Sequence, residues 1–150
     1  LLSSYGASRA ATPFGTPAAA ASLFEHADLA AWLVASRGWT PLAHLETLTA
    51  ARALSLLRSG ASLHEGEPTP LQRAAGGGGE AAALIRRAAA PWSPASHSLF
   101  PAAARECAVM VMRIGYQIAL SPPDDAEARP DWSALSDVWR EHVLPHAVAR

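Results

Sequence analysis

The sequence has no lysine and no asparagine, a single cysteine and two methionines, and only 17% of its 150 residues are charged. Each shortage excludes something. One thiol, Cys107, rules out an intramolecular disulfide framework and any cysteine-based zinc site. All 12 basic residues are arginine and face 13 acidic ones, for a net charge of −1. That balance lacks the strongly basic face on which nucleic-acid binding depends. The apolar runs, such as 18–23 and 107–112, fall far short of the roughly 20 residues that span a bilayer, so no membrane insertion is expected. The opening Leu1-Leu2-Ser3-Ser4-Tyr5 has neither an initiator Met nor a basic region ahead of an apolar stretch. It reads as the interior of a longer intracellular protein, cytoplasmic or nuclear, and not as a signal peptide.

The same shortages remove most catalytic readings. Gly76-Gly77-Gly78-Gly79 invites a phosphate-loop reading, but a P-loop needs a lysine after the turn and the chain has none. The run reads as a loose bend. Among His26, His44, His64, His97, His142 and His146 no His-Glu-x-x-His occurs, and Pro145 interrupts the pair 142/146, so no metal is expected. Cys107 falls in mid-helix beside Glu106, a setting for an inert thiol. Asp124-Asp125 follows two prolines and reads as a solvated turn. There is no Gly-x-Ser-x-Gly and no kinase signature. The chain is expected to be no enzyme and to carry no cofactor.

What is abundant is alanine, roughly a quarter of the residues, which favours helices over strands. Among the Thr-Pro pairs three stand out as punctuation, Thr16-Pro17, Thr40-Pro41 and Thr69-Pro70, the last two followed by leucine. Threonine caps a helix and proline suits its first position, so each pair predicts a helix start. After each comes a second, more apolar helical stretch. Residues 50–57 place Ala53, Leu54 and Leu57 at helical spacing and run into Ser59-Gly60-Ala61, where Gly60 suits the left-handed C-terminal position. Leu1-Leu2-Ser3-Ser4-Tyr5-Gly6-Ala7 repeats that ending.

These residues resemble the ankyrin repeat, a unit of about 33 residues that opens on Thr-Pro-Leu-His and forms two antiparallel helices. The resemblance rests on Thr16-Pro17 with Glu25-His26, on Trp39-Thr40-Pro41-Leu42 with Leu56-Leu57-Arg58-Ser59-Gly60-Ala61, and on Thr69-Pro70-Leu71 with Leu84-Ile85. It covers residues 1 to about 90. The spacings Thr16–Thr40 and Thr40–Thr69, 24 and 29 residues, are shorter than the family period, and the family histidine is Ala43 or Gln72 here. The resemblance implies an all-α solenoid: a partial unit at 1–14, then units at about 15–37, 38–66 and 67–91.

Beyond these, 92–121 reads as a connector and capping helix, 122–130 as a linker and 131–150 as a C-terminal helix that Pro145 ends or kinks. Trp92 is expected to anchor the connector to the last repeat. In the capping helix, from Ala102 to about Leu120, Cys107, Val111, Ile114 and Ile118 form an apolar stripe expected to be buried, widened by Val109, Met110, Met112 and Tyr116.

The resemblance further implies a non-catalytic module that binds a protein partner through its concave groove and turn tips. Carried onto this sequence, those positions are Arg9 and Phe14, Arg37 and Trp39, His64 and Glu65, with His44 and Arg73 facing the same groove. Trp132 and Trp139, seven apart, are the alternative partner-binding pair; the plainer reading docks their helix on the rest of the chain. The competing functional reading is a repeat segment of a larger multidomain enzyme or ubiquitin-ligase substrate adaptor, with activity outside these residues.

Overall fold

Threonine hydroxyls set the first and third of the expected starts. In the computed structural model the described residues are 10–11, 13, 15–120 and 132–149, the side chains of Trp132 and Ser133 excepted; they contain helices and no β-strand. Helix α1 (Pro17–Leu23) begins where the Thr16 hydroxyl accepts the Ala19 amide proton at 3.1 Å. Helix α4 (Pro70–Gly76) begins on a reciprocal box: Thr69 Oγ1 accepts from the Gln72 amide at 3.1 Å, and Gln72 Oε1 accepts from the Thr69 amide at 2.9 Å. Each helix is followed by a second one, α2 (Ala27–Ala35) and α5 (Gly79–Ala89). The α1–α2 turn puts Glu25 at φ 61°, in the left-handed region that glycine would occupy without strain.

Thr40-Pro41 departs from expectation. It heads one 3₁₀ turn, Pro41–Ala43, and Thr40 makes no side-chain cap bond. The chain does not continue helically, because the threonines that follow make local backbone bonds instead. Thr47 Oγ1 donates to the His44 carbonyl at 3.5 Å, and Thr49 Oγ1 accepts from the Arg52 amide at 3.2 Å. The next helix, α3 (Ala50–Arg58), closes on Gly60 at φ 85°, with the Ala61 amide donating to the Leu56 carbonyl at 3.0 Å.

The four-glycine bend is held at Gly77, and its other three glycines are open. A Cβ on Gly77 would lie 2.9 Å from Leu45 Cδ1 and 3.0 Å from the Arg73 carbonyl, so a larger residue would push both neighbours aside. The Arg86 guanidinium donates to the carbonyls of Ala74 and Gly77. These bonds hold the end of α4 to the body of α5.

The described residues fall into two compact units. The first holds those up to Ala53 together with Ser62–Arg86. Its fully buried side chains include Leu42, His44, Pro70 and Ile85. The second holds Leu54–Ala61 and the residues from Arg87 onward. Its core gathers Trp92, Phe100, Ala104, Ala108, Leu144 and Val148. Trp92 therefore anchors the connector within this C-terminal core, where its indole N–H donates to His97 Nδ1 at 3.2 Å. A 3₁₀ turn (His97–Leu99) leads into α6 (Ala102–Leu120), whose extent matches the expected helix.

The buried face of α6 matches only in part. Of the expected residues Val111 and Met112 pack against the core and Cys107 is half-buried, but Ala104, Ala108, Gly115 and Ala119 are the buried ones, and Val109, Met110, Ile114, Tyr116 and Ile118 are exposed. The elements opposite supply the bulk. Helix α7 (Trp132–Val138) runs through a wide π turn (Trp139–Val143) into α8 (Leu144–Ala147). Trp139 lies directly over Gly115, where a Cβ would come within 2.8 Å of the indole. Small residues on α6 are what let the indole approach. The π turn absorbs Pro145: the Leu144 amide reaches back five residues to the Trp139 carbonyl, so the helix bends and continues through Ala147.

Candidate functional site

Three of the expected contact residues, Trp39, His44 and Arg73, come together in the first unit. Trp32 comes from the last part of α2, whose end is held by Ser36 Oγ donating to the Trp32 carbonyl. The chain then reverses through Gly38, with the Trp39 amide donating to the Ser36 carbonyl at 3.2 Å. The Glu67 amide donates to the Gly38 carbonyl at 3.1 Å, which fixes the turn against the segment around Gly66. Gly66 has φ 94°, and a Cβ there would meet the Gly38 carbonyl oxygen at 2.8 Å. Glycine is thus required at position 66 for the two turn segments to touch, while a Cβ on Gly38 would press on the Glu67 carbonyl oxygen at 3.3 Å.

Within this frame the rings of Trp32, Trp39 and His44 form a triangle. Trp39 meets Trp32 edge-on at 6.4 Å, and His44 lies 5.2 Å from Trp39 and 5.7 Å from Trp32. Arg73, in the last turn of α4, places its guanidinium carbon 3.8 Å from the centre of the Trp39 ring. Its Nη2 forms an ion pair with Glu46 Oε1. A cation over an indole face is attracted by the ring quadrupole, and the carboxylate fixes the guanidinium plane. Arg73 Nε is buried without a hydrogen-bond partner among the described residues.

Beside this cluster lies an open hollow of about 540 Å³, walled by Leu45, Glu46, Gln72, Arg73 and the glycines 76–78. Gln72 and Glu46 are exposed at its rim, and Arg73 is half-buried. The surface therefore offers a stacked arginine, a carboxylate and backbone bare of side chains at three successive glycines. Among the described residues no group of three His, Cys, Asp or Glu gathers as a metal site would require.

The other expected residues lie elsewhere. His44 is only 2% exposed, so its imidazole packs between the two indoles and has no surface to give a partner. Arg37 is exposed and lines a separate hollow with Thr16, Pro17 and Val34. His64 and Glu65 are exposed on the loop ahead of Gly66. Arg9, Phe14 and the side chain of Trp132 lie outside the described residues. Trp139 is docked within its own chain, its indole N–H donating to the Val111 carbonyl at 2.9 Å, which removes it from the set of free contact residues. Glu46 was missed by reasoning from the sequence. Its signal is weak, a lone acid two residues after His44 and 27 before the arginine it pairs with.

No protein-family model, curated protein or solved structure matches the chain.

Proposed function

We propose that this chain is a non-catalytic protein-interaction module built on ankyrin-like helical units, and that it engages its partner through Trp39, Arg73 and Glu46. The observation that carries the reading is the Arg73 guanidinium stacked on Trp39 and paired with Glu46 at the rim of an open hollow. Tryptophan and arginine dominate the energetics of protein interfaces, and here each is held in place before a partner arrives. The unit architecture rests on the Thr-Pro heads, the packed pair α1–α2, the succession of α4 and α5 tied by Arg86, and the Gly38–Glu67 bond joining neighbouring turns.

The test is affinity capture from source lysate with the wild-type chain, Arg73→Glu, and Glu80→Arg as an exposed-charge control. The expected result is a discrete protein retained by the wild type and by Glu80→Arg. Its recovery falls by about thirtyfold with Arg73→Glu, the loss of a central interface arginine. Identical recovery by all three chains, or no specific protein with any, counts against the reading.

A further inference from the structure

The outward face of α6 is apolar at its centre and charged with opposite sign on either side. Val109 and Met110 are 45% and 61% exposed, and Ile114 and Tyr116 are similarly bare. Glu106 and Arg113 are exposed, and neither takes part in an ion pair among the described residues. They stand seven residues apart, two turns and about 10 Å along one side of the helix, with Val109 and Met110 midway between them.

We propose that this face binds a second copy of the same chain, the two α6 helices antiparallel about a two-fold axis between Val109 and Met110. That axis sets Glu106 of each copy opposite Arg113 of the other, so two ion pairs flank an apolar centre. The symmetry also sets Val109 of one copy beside Val109 of the other, and Met110 beside Met110, because each edge of the helix meets the same edge of its mate. A two-fold interface must be complementary to itself, and equal displacement of an acid and a base from one apolar centre meets that condition. An unrelated partner imposes no such symmetry.

The test is sedimentation equilibrium on the whole chain across a dilution series. Wild type is expected to move from 15.7 kDa at low concentration toward twice that mass. Glu106→Arg or Arg113→Glu alone breaks both pairs and sets like charges face to face. Either is expected to raise the dimer dissociation constant about tenfold or more. The double reversal Glu106→Arg with Arg113→Glu restores the pairing and is expected to return the constant to within about threefold of wild type. An equimolar mixture of the two single variants forms the mixed dimer. Circular dichroism of each variant confirms that the helices are retained. A chain monomeric at every concentration overturns the proposal, as does a dimer whose constant ignores both single reversals or fails to recover in the double one.

Discussion

Trp139→Ala is expected to destabilise the C-terminal unit by about 3 kcal/mol, at the low end for a buried tryptophan because the ring is only half-buried. The indole covers Gly115 and donates its N–H to the Val111 carbonyl, so truncation leaves a gap against α6 and removes that hydrogen bond. Trp139→Phe keeps most of the packing and loses the hydrogen bond, and should cost about 1 kcal/mol. Gly115→Val approaches the same contact from the other side. Its Cβ has no room against the indole, and the overpacking should cost about 2 kcal/mol. Urea unfolding followed by far-UV circular dichroism measures all three. Midpoints unchanged for Trp139→Ala and Gly115→Val would mean that the terminal helix does not dock on α6.

That contact shows what could and could not be read from the sequence. The length of α6 was legible because Pro101 precedes it and its composition is helical throughout. Which face turns inward was legible only at Val111 and Met112. The largest apolar side chains point to the wrong stripe, because Trp92, Phe100, Trp139 and Leu144 fill the space from the opposing side and leave room only for alanine and glycine. Helix packing is settled by the pair of surfaces, and one surface read alone favours its bulkiest residues. Caps are easier, since their chemistry is local. Thr16, Thr69 and Gly60 do what their neighbours in sequence predict, whereas Thr40 depends on Thr47 and Thr49 further along.

His44→Ala is the second large effect, a loss on the order of 2–3 kcal/mol in the first unit. The imidazole is 2% exposed and holds Trp32 and Trp39 at fixed separations from itself. Removing it opens a cavity beneath the ring on which Arg73 stacks, so intrinsic tryptophan fluorescence should shift along with the urea midpoint. A histidine serving only as a surface contact would leave both nearly unchanged, and that outcome would return His44 to the interface. The site was legible in part for the same reason. Register relative to the Thr-Pro pairs selects Trp39, His44 and Arg73 together, but burial, which separates core from contact, depends on rings brought in from α2. Glu46 enters only through its distant pairing with Arg73.

The most direct test of the central claim is site-specific photo-crosslinking from the hollow beside Arg73. A photoreactive phenylalanine derivative in place of Gly78 would sit at the rim, where an added Cβ meets nothing within 4 Å. The same group in place of exposed Glu80 serves as the comparison. On irradiation in source lysate, position 78 should yield one discrete adduct with another protein, and that adduct should be lost when Arg73 is also replaced by glutamate. An adduct that persists without Arg73, or one that forms from position 80 and not from 78, would contradict the assignment of this surface as the binding site.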